Sequence, residues 1–565
     1  MLRRLGATAS ERTLFLGLVA FVGAVCAAPL ARLVLEGVAP GGRLDLGVLE
    51  RVLSAPRTWL AAERTLATAL ASTAIATLLG AGFALLVGAT DLRGKSALGF
   101  VFLLPLMIPS QVTAIAWINL LGPASPLLKT LGLAPAPGTP HPLYGFGGIA
   151  GIMGLEHAPL VFLTLRAGLA ALPGEAIEAA ETVGAHRWRI VWTIVLPMTS
   201  PALAAGAALA FVSAIGNFGT PALLGIPAGY SVLTVLIYQE LAGFGPQAIS
   251  EVAVLSLLLA GLALLGIAAE RWASGRRDIR WARARTRRLI PLRGAAPAFS
   301  VAAWTVLALV VAVPLAALLA TALVKAYGLP LTAATVTAEN FRYVMTEHAA
   351  TARAALNSLF LASAAALVVA VVGVFLGYVV AWRDGALART LAVAAELPYA
   401  LPGVVLALAA ILVFLRPLPL LHVSLYGTLW IILAAYVARF LVLALRTIVA
   451  AYRQIHPSLE EAAAIAGAGL WRRIATIILP LAAPAVAAGA VLVFLIALNE
   501  LTVSALLWSA GHETLGVVVF SLEQGGDSTL AAALSVLVVV ATVALMALAS
   551  LAARHLPEGV LPWQG

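Results

Sequence analysis

The residues with chemistry to offer sit where they are costly. Glu156, Glu396, Arg439 and Glu500 fall within or at the end of long apolar runs, with Asn217 and Asn499 beside such runs. An ionisable group at membrane depth is expensive and marks a transport pathway or relay by default. The competing reading is that such groups satisfy one another, or backbone freed at prolines. Glu156 and Arg439 occupy corresponding runs of two similar halves and could form a buried pair. Glu156 and His157 are adjacent, so they should point to different helix faces. The eight histidines are scattered without metal-ligand spacing. Cys26, the one cysteine, reads as a small packing residue. Gly94-Lys95-Ser96 looks like the end of a phosphate loop, but Gly88 stands one residue too far upstream and no strand precedes it. No nucleophile–base set emerges. The pattern points to transport.

The elements that must position these groups are membrane helices. The chain has 565 residues, of which 62% are hydrophobic and 11% charged. Mean hydropathy is +1.02. A soluble globule cannot hide that much apolar surface, and a disordered chain would be polar. Runs of roughly 20 apolar residues predict twelve spans, the first near Leu14–Leu35 and the last near Thr529–Ala552. Their Ala, Leu, Gly and Val content suits close helix packing. Pro105, Pro109, Pro398 and Pro402 should kink spans three and nine. The net charge of +10 then reads as loop charge facing anionic membrane lipid, not as a nucleic-acid footprint. Nine arginines lie between Arg271 and Arg293. Placing them in the cytoplasm puts both termini there too. The N-terminal apolar run is long for a signal peptide and reads as an uncleaved first span.

The chain repeats itself. Glu178-Ala179-Ala180, Gly184 and Ile194-x-Leu196-Pro197 recur as Glu461-Ala462-Ala463, Gly467 and Ile477-x-Leu479-Pro480, always 283 residues apart. Upstream, Pro105 and Pro109 echo Pro398 and Pro402 at an offset of 293. About ten extra residues therefore fit in the Pro-rich loop 122–141. Six spans per half make the repeats parallel, related by an axis along the membrane normal. The reading divides the chain into a six-span domain over 1–270, a basic cytoplasmic linker over 271–299 and a second six-span domain over 300–565. Each repeated motif falls in the cytoplasmic loop between the fourth and fifth spans of its half. Each predicts a short helix, a glycine break, a second short helix, and a proline at the start of the next span. Ser458 and Glu461 have capping-box spacing.

Glu-Ala-Ala, three residues, Gly, nine residues, Ile-x-Leu-Pro resembles the coupling loop of ABC importer permeases of the type I fold. The resemblance covers nearly the whole chain, because each half looks like one permease domain. It implies an all-α polytopic membrane protein of two tandem repeats in a bacterial inner membrane. It implies two copies of a cytoplasmic ABC ATPase, which bind ATP and magnesium, and an extracytoplasmic substrate-binding protein. It implies no cofactor on this chain. Each loop would insert into an ATPase groove, so that ATPase closure switches the pathway from inward-facing to outward-facing. Glu178 and Glu461 would carry the main contact, with Ala179, Ala180, Ala462 and Ala463 beside them. Gly184 and Gly467 would allow the turn.

The fusion of two permease domains looks most like ferric-iron transporter permeases, as do Asn217–Gly225 and Tyr436–Phe440. Relatives that move thiamine, 2-aminoethylphosphonate or polyamines remain alternatives. An ion-coupled secondary transporter is the alternative class, but paired coupling loops are not expected there.

Overall fold

The computed structural model describes residues 9–43, 45–243, 248–275, 292–383, 385–417 and 422–552. The middle of the expected linker, 276–291, lies outside them. Regular structure among the described residues is helical, apart from one isolated bridge between Val324 and Val336.

Ten helices there are long and apolar enough to cross a membrane, from Ser10–Val38 to Ser528–Leu551. The expected third and ninth spans are each broken in two. Lys95–Met107 meets Ser110–Thr130 at 100°, and Ala386–Ala400 meets Gly403–Phe414 at 113°. These are breaks rather than the kinks expected from proline. Ile108 and Leu401 are extended (ψ 133° and 147°) because each precedes a proline. Pro109 and Pro402 then cap new helices. A third bent pair, Gly219–Ala228 and Leu233–Ala242 at 77°, follows the fifth span and is not legible in hydropathy alone. At the matched place the second half carries Ser504–Leu507 and Leu515–Gln524.

Pro197 and Pro480 do not open their spans as expected. Helices Trp188–Gly216 and Leu470–Leu498 run straight through them. Each proline follows one wide turn, Val191–Val195 or Ile474–Ile478, in which the Leu196 and Leu479 N–H groups donate to Val191 and Ile474. The wider turn accommodates the ring and the carbonyl it frees, so the helix continues. The same device precedes Pro29 and Pro314 in the first span of each half, at Gly23–Ala27 and Ala308–Ala312.

The first spans are exchanged. Leu14, Phe15, Leu18, Val22 and Cys26 pack in a cluster of second-half residues that includes Leu361, Tyr378 and Ala410. Ala303 and Leu307 of the seventh span pack with Phe102, Phe162 and Leu165 of the first half. Cys26 is fully buried, as expected for a packing residue. A third cluster joins the halves, with Phe218 and Phe520 ring centroids 5.6 Å apart. Small residues let helices touch: a Cβ on Gly80 would meet the Ala158 carbonyl at 2.4 Å.

Candidate functional site

The first helix break faces a cavity of about 210 Å3 between the halves. The first half contributes Met107, Gln111, Glu156, His157 and Asn217, and the second contributes Arg439, Asn499 and Glu500. Five of the six predicted pathway residues therefore meet at one place. Glu396 does not. It sits on a partly exposed helix face, 3.5 Å from Arg446. His157 lines the cavity beside Glu156, so adjacency in sequence does not separate the two as expected.

Each half satisfies its own carboxylate. Glu156 accepts from the Asn217 amide (3.1 Å) and the Thr220 hydroxyl (3.1 Å). Glu500 accepts from the Val503 N–H (2.9 Å), the Ser504 N–H (3.3 Å) and the Ser504 hydroxyl (3.3 Å). Arg439 approaches Glu500, Nη1 to Oε1 at 3.9 Å, and not Glu156. The expected Glu156–Arg439 pair is thus replaced by two pairs, one in each half. The repeat offset relates them, since Glu156 matches Arg439, Asn217 matches Glu500 and Thr220 matches Val503 at 283 residues. Asn499 ties the second half to the first helix break, its amide donating to the Met107 carbonyl at 3.2 Å. The cavity is small and lined by both acidic and basic side chains.

Hydropathy analysis missed Gln111, Thr220 and Ser504, whose polarity is ordinary in sequence. Subtracting the repeat offset from the ionisable residues is the signal that finds the second member of each pair.

The repeated loops have the predicted local form. Helices Gly174–Thr182 and Ser458–Ile465 are followed by Gly184 (φ +76°) and Gly467 (φ +82°), then by Arg187–Ile190 and Leu470–Arg473. Left-handed backbone is where glycine costs least. The Ala185 N–H donates to the Ala180 carbonyl (3.0 Å) and the Ala468 N–H to Ala463 (2.9 Å), which closes each helix end in the same way. The capping box is not formed. The Ser458 hydroxyl lies instead 2.7 Å from His456 Nδ1. Glu178, Ala179, Glu461 and Ala462 are exposed, and Ala180 and Ala463 are half-buried. Val183 and Ile465 stand out at 82% and 88% exposure.

Comparison with known proteins accounts for the repeat. The family described as binding-protein-dependent transport system inner membrane component matches twice, over residues 76–276 and 371–561. The chain is 27% identical over 434 residues to "Probable ABC transporter permease protein y4fN" of Sinorhizobium fredii, covering 75% of each chain. It is 25% identical over 485 residues to "Ferric transport system permease protein FbpB" of Actinobacillus pleuropneumoniae, covering 82% of this chain and 67% of that one. It is 30% identical over 266 residues to "Molybdate/tungstate transport system permease protein WtpB" of Thermococcus kodakarensis, covering 47% of this chain and 96% of that one. The chain belongs to the family of binding-protein-dependent transport system inner membrane components, as a multi-pass ABC importer permease with two tandem copies of the domain.

Proposed function

We propose that this permease admits ferric iron, delivered by an extracytoplasmic binding protein and driven by two copies of a cytoplasmic ATPase. One observation carries the choice of cargo. The relatives that span both halves of the chain include ferric permeases, whereas the molybdate/tungstate relative spans one half. The mixed-charge cavity is compatible with an ion that crosses with its own oxygen ligands. Among the described residues no group of three or more His, Cys, Asp or Glu side chains could hold a metal ion. In this reading the iron is cargo in passage.

The loops at Glu178 and Glu461 couple this cavity to ATP hydrolysis. Their exposed acids and the apolar tips at Val183 and Ile465 suit a groove on a partner surface, and their equivalence suits a two-fold ATPase dimer. Each loop leads through a wide turn into a continuous helix, Trp188–Gly216 or Leu470–Leu498, that reaches the cavity at Asn217 or Asn499. Drawing the loops together moves these helices and the groups they carry. Both termini lie on the cytoplasmic side in this reading, with the basic segment between the two domains as their linker.

A second reading is an oxyanion cargo. Arg439 in the cavity and the molybdate/tungstate relative favour it. Labelled ferric-iron uptake in cells lacking the gene, with and without its restoration, separates the two. Gene-dependent uptake that excess molybdate, thiamine and aminoethylphosphonate leave unchanged supports iron. Competition by molybdate, or no gene-dependent iron uptake, overturns it.

A further inference from the structure

The two cytoplasmic loops match in backbone but not in what holds them to the membrane body. Beneath the second loop lies a cluster of two acids and two arginines. Arg473 Nη1 donates to Glu460 Oε1 at 2.6 Å, and its Nη2 lies 3.7 Å from Glu11 Oε1. Arg383, just past the end of the Ala349–Trp382 span, donates to Glu11 Oε1 and, at 2.9 Å, to the Tyr378 hydroxyl. That hydroxyl in turn donates to Glu460 Oε1 at 3.0 Å. The side chains of Glu11 and Arg473 are about nine-tenths buried, at 9% and 8% exposure. The formal charges balance.

The first loop is seated differently. At the matched offset of 283, Glu460 and Arg473 correspond to Ile177 and Ile190. Both isoleucines are 4% exposed and pack with Leu169 and Leu172 in an apolar cluster. The same places in the two repeats thus hold a buried ionic cluster in one and aliphatic packing in the other.

The difference has a direction. Glu11 belongs to the exchanged first span, which starts the first half of the chain yet packs on the second. The second loop is therefore tied by charge to a helix from the other repeat. Buried, hydrogen-bonded ion pairs fix geometry, and removing one partner strands the other in a poorly solvated place. Aliphatic contacts are non-directional and tolerate sliding.

We propose that Glu11, Arg383, Arg473 and Glu460 form an ionic clamp that positions the second loop, where Ile177 and Ile190 seat the first by aliphatic packing, so that the two loops transmit motion through inequivalent linkages. Glu11 and Arg473 are positioning residues here, since they act through the loop and touch no cargo. The clamp stands on the geometry. Its consequence for coupling rests on the proposed role of the loops.

The test uses the full chain in lipid nanodiscs, then the assembled complex with its ATPase. Backbone hydrogen exchange is measured across residues 458–469 and 175–186 for the parent, Glu11→Gln, Arg473→Met and Arg473→Lys. The expected result is exchange raised about tenfold or more in 458–469 by Glu11→Gln and Arg473→Met. Residues 175–186 should be unchanged, and Arg473→Lys should be partly restored. Equal loosening of both loops, or none in 458–469, overturns the clamp. If Arg473→Met fails to insert, Glu11→Gln alone decides. In the complex, transport per ATP hydrolysed should fall several-fold in Glu11→Gln. An unchanged ratio with a loosened second loop overturns the link to coupling and leaves the clamp standing. A chain that recruits no ATPase would instead count against the proposed function.

Discussion

Glu156 and Arg439 occupy the same position of the two repeats, face the same cavity, and carry opposite charge. Their partners also occupy one matched position, Asn217 beside the acid and Glu500 beside the cation. The matched positions hold an acid–amide pair in one half and a cation–acid pair in the other. The cavity is therefore polar on both sides, but its two halves differ in kind.

Arg439→Gln should lower uptake about tenfold or more, because it removes the cavity's arginine and leaves Glu500 satisfied by its own backbone and Ser504. Glu396→Gln should leave uptake within about twofold, since Glu396 pairs with Arg446 away from the cavity. Uptake in cells with matched membrane expression checks both. Equal losses would mean that the cavity is not the pathway.

The double replacement Glu178→Lys with Glu461→Lys should abolish co-purification of the ATPase while the chain still inserts. Both acids are exposed at the loop surface, so little fold stability depends on them. Normal co-purification would remove the loops from the coupling path. Gly184→Ala and Gly467→Ala probe the same loops through the backbone. Forcing a Cβ into left-handed geometry costs about 1–2 kcal/mol, and each should weaken ATPase association without abolishing it.

The architecture was legible because composition, repeat spacing and loop motif all agree. The apolar helices, the two tandem repeats and the glycine-broken loops follow from patterns that local physics enforces. The cavity was legible only as a set of suspects. Five of six named residues reach it, and Glu396 does not, because apolar runs report depth but not which face a side chain takes. The clamp was not legible at all. Glu11, Arg383, Glu460 and Arg473 look like ordinary loop charge until the exchanged first span brings Glu11 alongside the second loop.

The loop before the fourth span should respond to acid. Burial lowers the affinity of His141 for a proton below its ordinary value, against a smaller opposing effect of the hydrogen bond to Ile118. Its Nε2 donates to the Ile118 carbonyl at 3.1 Å and its Nδ1 accepts from the Leu143 N–H at 3.2 Å, an arrangement that needs the neutral ring. The sign follows from the lowered folded value. The seated loop gains its full stability above the unfolded histidine pKa of about 6.5 and loses it as pH falls through that value toward the lower folded one. Limited proteolysis of residues 131–145 should therefore accelerate several-fold between pH 8 and pH 5. His141→Gln should flatten that dependence.

Gly403 offers the sharpest check on the cavity. It opens the helix after the second break, and a Cβ there would lie 1.9 Å from Arg439 Nη1 and 2.9 Å from Thr502 Cγ2. The matched residue of the first half, at the offset of 293, is Ser110. The Ser110 hydroxyl is accommodated there against Gly219, where a Cβ would lie 2.6 Å from it. Gly403→Ala should therefore push the Arg439 guanidinium away from Glu500 while the backbone, already helical, accepts the alanine. The overpacking cost should be modest, about 1–3 kcal/mol, because the clash falls mainly on the end of a flexible side chain. Uptake should fall nearly as far as in Arg439→Gln. Because both changes act on one group, the double variant should be no worse than Arg439→Gln alone. Additive losses in the pair would place the Gly403 effect elsewhere, in Thr502 or in the break itself.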